Sequence, residues 1–369
     1  MNTVKVLLIT SLVLSNGLLN AQVKNLPDQI IEGKECVKAR RNLSLPEIDG
    51  YQLLKCDFHI HTVFSDGIVW PTLRVQEAWE EGLDAIAITD HIEGQPVHQY
   101  IEKGHNNSFK MAQEEAARRD IILVQGGEIT RSMPPGHLNA LFVKDVDALD
   151  RPDYIDVLKE ARKQGAFIQW NHPGWGVDTV EWHKEHEELY QEGLLNGIEI
   201  FNEFEWYPKA LEWAYQKNLT ILGNTDVHDV ISRLYDSKKT NHRPMTLVLA
   251  EERSEKGLKD ALFAGRTLIY FYDKLMGKED YLRKFFEASF KMHPVHYSNH
   301  GRDYMTIENV SDVPLVLTKI DGVQGYPEKI EIPGKMKIIV AIPEHRHTVS
   351  YEVTNFIVSS SKNLNITLF

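Results

Sequence analysis

Nine residues of this 369-residue chain have side chains that commonly bind divalent metal ions, and several of them occur in close pairs. Each offers an imidazole nitrogen or a carboxylate oxygen, and none offers a thiolate. Such a set suits Zn²⁺, Mn²⁺ or Fe²⁺ rather than a soft copper or iron–sulfur site. A cluster of such ions with open coordination positions activates water and stabilises a developing oxyanion. The predicted ligands are His59, His61, Asp66, His91, Glu128, His137, His172, Asp226 and His228.

Two pairs of predicted ligands have members two positions apart. His59 and His61 lie in the apolar stretch 58–62, whereas Asp226 and His228 follow another apolar run. Residues i and i+2 of a β-strand point to the same side, so both members of a pair can approach one ion. Paired histidines on a strand are a weak signal alone, but the apolar flanks favour a metal site over an exposed strand.

Four of the other five predicted ligands have a structural alternative. Asp66 lies in a turn sequence typical of a capping residue, and His137 lies in a loop. His172 has the apolar neighbours of a packed core histidine, and Glu128 could face solvent at a strand end. His91 directly follows a buried apolar run. In each case the presence of the other candidates favours metal binding.

The segments that must position these side chains alternate between strand-like and helix-like patterns over residues 51–284. The strand-like runs are continuously apolar, which is typical of a parallel sheet covered by helices. About seven or eight β–α units favour a barrel, with an open doubly wound sheet as the alternative. Nearly every predicted ligand falls at or after the carboxyl end of a strand-like run, where barrel enzymes collect their active sites. Residues 285–369 contain short strand-like runs separated by prolines and predict a small antiparallel β-sandwich.

The N-terminal residues predict a compartment. Residues 1–21 contain an apolar run and a plausible cleavage site, which predicts a signal peptide and a periplasmic or secreted protein. An uncleaved membrane anchor is the alternative, and no other segment is apolar enough to span a membrane. Residues 22–50 are a polar arm. Cys36 in this arm could pair with Cys56 in an oxidising compartment, or the two could be unrelated.

The charge balance limits the class of substrate. A net charge of −12 disfavours a long polyanion such as a nucleic acid. It does not disfavour a small phosphate ester, because bound metal ions reverse the local field. Arg243 is a candidate for holding a phosphate group, with a structural salt bridge as the alternative.

Six short motifs contain most of the predicted ligands, in the order Phe58-His59-Ile60-His61-Thr62, Ser65-Asp66-Gly67, Thr89-Asp90-His91, Gly127-Glu128, Asn171-His172-Pro173 and Thr225-Asp226-Val227-His228. Over about residues 50–270 this combination resembles the PHP (polymerase and histidinol phosphatase) metal-dependent phosphoesterases. Each motif alone is unspecific, whereas the combination is highly specific. The resemblance implies a distorted (β/α)₇ TIM-like barrel with three metal ions.

The resemblance also implies a role for each ligand. Many family members have a histidine where this chain has Asp66, and the added carboxylate favours Mn²⁺. The implied groups are His59, His61, Glu128 and Asp226 on a first ion, Glu128, His137 and His172 on a second, and Asp66, His91 and His228 on a third.

The predicted signal peptide and β-domain make the chain more similar to secreted PHP phosphodiesterases than to other members. We therefore expect hydrolysis of small organic phosphodiesters by a metal-activated hydroxide. Glu128, Asp226 and His228 would take part in the chemistry, and Arg243 would hold a phosphoryl oxygen. The alternatives are a phosphomonoesterase, a metal-dependent amide or lactone hydrolase, and a non-catalytic metal- or glycan-binding protein.

Overall fold

The structure is a computed structural model that describes residues 39–94, 100–236 and 241–369. The predicted signal peptide, the arm up to residue 38 and Cys36 therefore lie outside the described residues. Cys56 is a free, fully buried thiol in the core. Within the described ranges, no helix combines the length and the apolar character that a membrane span needs.

The first part of the described chain alternates strands and helices, as its sequence pattern predicts. The strands are β1 (Gln52–Asp57), β2 (Ala85–Ile88), β3 (Ile122–Ile129), β4 (Leu138–Leu141), β5 (Phe167–Trp170), β6 (Gly197–Asn202), β7 (Glu205–Trp206), β8 (Thr220–Asn224), β9 (Met245–Ala250), β10 (Thr267–Phe271) and β11 (Lys274–Gly277). The helices are α1 (Pro71–Glu80), α2 (Asn107–Arg119), α3 (Tyr154–Lys163), α4 (Lys184–Gln191), α5 (Pro208–Lys217), α6 (Ile231–Leu234), α7 (Glu255–Phe263) and α8 (Glu279–Ser289), with a 3₁₀ turn at Asp147–Leu149.

The strands of this region form one curved sheet. Strands β1, β2 and β3 pair in parallel, and so do β5, β6 and β8. Strand β4 runs antiparallel between β3 and β5, which departs from the fully parallel sheet that the sequence indicates. Strands β9 and β10 join antiparallel on the other side of β1. The strands β2, β4, β5, β6 and β8 are buried along their whole length, as expected for a sheet covered on both faces.

The described strands β8 and β1 approach each other, but no continuous ladder of backbone hydrogen bonds joins them. A parallel bridge joins Ile60 to Val227 just beyond the ends of both strands. Directly after the end of β1, the Phe58 amide donates a hydrogen bond to Asn224 Oδ1 of β8 at 2.9 Å. The fold is thus a mixed α/β sheet whose described strand pairing does not close into a continuous barrel, and the α/β prediction is confirmed.

The C-terminal part is an antiparallel β-domain, which confirms the second part of the fold prediction. The strands are β12 (Phe290–Asn299), β13 (Arg302–Asn309), β14 (Leu315–Lys319), β15 (Lys329–Ile332), β16 (Lys337–Pro343), β17 (Val349–Ser359) and β18 (Lys362–Leu368). They form two sheets, β12–β13–β16 and β15–β14–β17–β18. Strand β17 also pairs in parallel with β11, so the second sheet continues the sheet of the α/β part.

Candidate metal centre

The structure brings all nine predicted ligands together at one edge of the curved sheet. Seven of them line a cavity of about 340 Å³, and His59 and His61 lie beneath it, fully buried. Most of the ligands follow the carboxyl end of a parallel strand. His137 instead directly precedes β4. Because β4 is antiparallel, its amino end lies at the same edge, and this places His137 in the cluster.

Glu128 is the centre of the cluster. It is fully buried, and its carboxylate lies within 4 Å of five histidine rings. Its Oε2 atom has no hydrogen bond of good geometry, although two imidazole nitrogens lie close to it. A carboxylate surrounded in this way can bridge neighbouring cations. The ring nitrogens lie 3.3 Å (His59), 3.3 Å (His61), 2.9 Å (His91), 3.2 Å (His137) and 3.4 Å (His172) from the nearer carboxylate oxygen.

Three ligand atoms meet at the floor of the cavity. The Nε2 atoms of His59 and His61 are 3.1 Å apart. Asp226 Oδ1 lies 3.1 Å from the first nitrogen and 3.0 Å from the second, yet this buried oxygen has no hydrogen bond of good geometry. Nitrogen and oxygen ligands that converge on one point in this way fit a divalent ion.

A second group of ligands lies at the mouth of the cavity. Asp66 Oδ1 is 3.1 Å from His228 Nε2 and 3.5 Å from His91 Nε2. Together with His61, these residues can offer ligand atoms that all lie within 4.8 Å of one another. The side chains of Asp66 and His228 are 46% and 38% exposed, so this part of the site is open to an incoming molecule.

The charges of the cluster favour cations. Burial opposes a positive charge on His59, but Asp226, Glu199 and Glu128 outweigh it and raise the pKa of His59 well above its usual value. Burial likewise opposes protonation of His91, and hydrogen bonds to Asp66 and Glu128 raise its pKa to about 10. Carboxylates that stabilise protonated imidazoles here would stabilise metal ions in the same space.

Comparison with known proteins agrees with this geometry. A model of the PHP domain family matches residues 57–201, and a model of an Ig-like domain matches residues 291–369. A solved two-domain protein from Bacteroides vulgatus, described as containing a predicted PHP-like metal-dependent phosphoesterase, is 44% identical. The two structures superpose with a TM-score of 0.85, covering 89% of this chain and 98% of the other. The chain belongs to the PHP family. An uncharacterized protein from Methanocaldococcus jannaschii is 30% identical over 189 residues, which are 47% of this chain and 82% of that protein.

Glu199 supports the PHP site from below and was missed by the sequence analysis. This fully buried carboxylate lies 2.9 Å from His59 Nδ1 and accepts a hydrogen bond from the His172 amide at 2.8 Å. It also accepts amide hydrogens from Asn202 and Asn224. An imidazole whose Nδ1–H is held by a carboxylate presents Nε2 to a metal. The sequence contains one signal for this role, because Glu199 is the only acidic residue of the buried strand β6.

Arg74 and Asp90 organise the loops that carry the PHP ligands. The buried Arg74 donates to the carbonyl oxygens of His61 at 2.9 Å and Val227 at 3.1 Å, which joins the loops after β1 and β8. Asp90 accepts from the Thr62 amide at 2.7 Å and from the Ser65 hydroxyl at 2.8 Å. Asp90 therefore acts on the ligand loop and not on a metal ion.

Arg243 does not reach the PHP site, so its predicted role in holding a phosphoryl oxygen is wrong. Its guanidinium is buried and forms ion pairs with Asp57 and, at 3.0 Å, with Glu81. Asp57 in turn accepts a hydrogen bond from the Thr225 hydroxyl at 2.5 Å. The structural salt bridge that the sequence left open is what the structure shows, and it helps to hold the chain before Asp226.

Proposed function

We propose that this PHP protein hydrolyses phosphate esters and that small organic phosphodiesters are its preferred substrates. The observation that carries the proposal is the buried Glu128 carboxylate in contact with five histidines beneath an open cavity. Divalent ions bound there would supply activated water and neutralise phosphoryl oxygens. The similarity to a protein with a predicted PHP-like phosphoesterase supports the same class of reaction.

The nine ligands provide for three ions, which we propose to be Mn²⁺, Zn²⁺ or Fe²⁺. The donors are imidazoles and carboxylates, which suit these ions. In the described structure the groups overlap, because Glu128 and His61 each belong to more than one set of converging atoms. The proposed sets are His59, His61, Glu128 and Asp226 for the first ion, Glu128, His137 and His172 for the second, and Asp66, His91 and His228 for the third.

We propose that Asp226 moves protons in the reaction and that His228 assists through the third ion. Asp226 keeps Oδ1 buried while its side chain remains 17% exposed, so Oδ2 is the oxygen that faces the cavity and can accept a proton from water. His228 donates its Nδ1–H to the Asp226 carbonyl oxygen at 2.7 Å. This bond leaves the lone pair of Nε2 directed toward Asp66 at the mouth, where it can bind a cation.

The charge of the cavity wall favours diesters over monoesters. Among the described residues, no lysine or arginine lines the cavity above the ligands. A phosphate monoester carries up to two negative charges near neutral pH, because its second pKa is about 6. A diester carries only one. The described part of the wall offers no lysine or arginine, and this supports a preference for the less charged ester.

Substitution of the central ligands tests the proposal. We expect Glu128→Gln and His59→Ala to abolish hydrolysis of bis(p-nitrophenyl) phosphate in metal-loaded protein, because both residues belong to the proposed ligands of the first ion. Glu114→Gln is the matched control and should keep its activity, since Glu114 is exposed on α2 and lies outside the cavity wall. Activity retained in both centre variants would contradict the proposal.

We further propose that the protein acts in the periplasm or outside the cell, on the basis of the sequence pattern of residues 1–21. Mass spectrometry of the protein expressed with this segment tests the proposal. We expect a mature N-terminus at Gln22, and a retained Met1 would contradict cleavage.

A further inference from the structure

A second cavity adjoins the metal centre. It has a volume of about 290 Å³ and shares three wall residues, His137, His172 and Trp175, with the cavity above the ligands. Each cavity is close to the lower limit of about 300 Å³ for small-molecule sites. A substrate whose phosphate lies on the metal ligands could therefore extend past Trp175 into the second cavity.

Trp175 forms the boundary between the two cavities and is 62% exposed. Its ring centroid lies 5.1 Å from that of His137 and 5.7 Å from that of His172. The Trp175 amide donates to the His172 carbonyl oxygen at 2.9 Å, so one turn carries both a ligand and the indole. A Cβ at Gly174 would lie 2.6 Å from the Tyr207 ring, and only glycine lets this turn pack so closely.

The described wall of the second cavity contains one arginine, no lysine and no acidic residue, and the charge of that arginine is neutralised. Its remaining side chains include Met133 and Val177, which are apolar. Arg131 also lines it, but its guanidinium pairs with Glu93 and donates to the Thr130 carbonyl oxygen at 2.8 Å. Because Glu93 already neutralises this cation, the cavity offers little attraction to an anion. It does offer a flat surface to an apolar ring.

We propose that the second cavity is the subsite for a neutral aromatic substituent of the ester, which stacks on Trp175 while the phosphate lies on the metal ligands. This proposal rests on the proposed function and narrows it to esters of aromatic or heteroaromatic alcohols. Stacking on an exposed indole accepts any flat aromatic ring. It is strong enough to favour such rings over alkyl groups.

Binding of two phosphinates that resist hydrolysis tests the subsite. Methyl(phenyl)phosphinate and dimethylphosphinate each carry a single negative charge, as a diester does, and they differ only in the aromatic ring. We expect Mn²⁺-loaded full-length protein to bind methyl(phenyl)phosphinate about tenfold more tightly in calorimetric titrations. Trp175→Ala should remove this preference, with dimethylphosphinate binding unchanged within about twofold, and Trp175→Phe should keep most of it.

Phe204→Ala is the control, because Phe204 is 48% exposed and lies in neither cavity wall. It should bind both phosphinates as the unaltered protein does. Equal binding of the two phosphinates to unaltered protein, or an undiminished preference in Trp175→Ala, would overturn the subsite but leave the proposed function standing. Binding of neither phosphinate would overturn the proposed function and the subsite with it.

Discussion

Replacement of Arg74 by methionine is expected to weaken the metal centre without removing a ligand. Arg74 is 1% exposed and holds three backbone carbonyl oxygens, those of His61 at 2.9 Å, Val227 at 3.1 Å and Asp229 at 2.8 Å. Its guanidinium also pairs with Glu77 at 2.8 Å. Methionine would keep much of the apolar stem and remove every one of these bonds.

Arg74→Met would leave the Glu77 carboxylate and three backbone carbonyl oxygens without their partner, and these losses set the size of the destabilisation. Removal of one partner from a buried ion pair costs about 3–5 kcal/mol. Each unpaired buried carbonyl would cost about 1–3 kcal/mol more, but water entering the space left by the guanidinium would satisfy some of them. We therefore expect the free energy of unfolding to fall by about 4 kcal/mol. Because the freed carbonyls flank His61, Asp226 and His228, metal affinity should also fall about 10–100-fold.

Urea denaturation of metal-free protein measures the first effect, and metal titration of the folded variant measures the second. Arg118→Met is the matched control, because Arg118 also pairs with a glutamate one helical turn away but is 66% exposed. It should change the free energy of unfolding by less than about 0.5 kcal/mol. Arg74→Lys keeps the charge with a single compact head group and should lie between the two. A loss below about 1 kcal/mol in Arg74→Met, with metal affinity unchanged, would show that Arg74 does not hold the ligand loops.

Three further predictions concern residues that support the site. Glu199→Gln should lower metal affinity about 10–100-fold in titrations, because His59 loses its charged partner, and unchanged affinity would contradict that role. Arg243→Met should destabilise the fold by about 3–5 kcal/mol in urea while KM for the diester stays within twofold, whereas a large rise in KM would indicate substrate contact. The buried neutral His242 ring lies 2.8 Å from the Arg243 carbonyl oxygen and accepts from the Asp273 amide, and burial lowers its pKa to about 4. Because the unfolded state binds this proton more tightly, stability should fall as the pH drops from 6.5 toward 4, by about 2 kcal/mol at pH 5. Urea titrations of His242→Gln should show a smaller loss over this range, and an equal loss would remove His242 as the cause.

The sequence alone predicts those parts of the site that local periodicity determines. His59 and His61 share a strand face, and Asp226 and His228 repeat the spacing, so each pair could be found without knowing the fold. The position of most ligands after apolar runs then predicts that the strand ends meet at one edge. A local pattern is sufficient here because the topology of a parallel sheet brings the carboxyl ends of its strands to one edge.

Other features depend on contacts between distant segments, which a local pattern does not contain. Arg74 reaches a loop more than 150 residues away in the chain, at a separation of 153 residues to Val227. The pairing of β11 with β17 likewise joins distant segments, and the antiparallel direction of β4 depends on its neighbours. Arg243 was assigned to the substrate from its residue type, whereas its ion pair with Asp57 spans 186 residues.

We propose that the clustered ligands bind divalent ions and that the loaded protein hydrolyses phosphodiesters. The most direct test is release of p-nitrophenolate from bis(p-nitrophenyl) phosphate and from p-nitrophenyl phosphate, using metal-stripped protein reloaded separately with Mn²⁺, Zn²⁺ or Fe²⁺. We expect no release without metal, and with metal a faster release from the diester than from the monoester. A faster reaction with the monoester would make the protein a phosphatase. Release from neither ester, with metal demonstrably bound, would contradict the claim and favour an amide or lactone hydrolase or a binding protein.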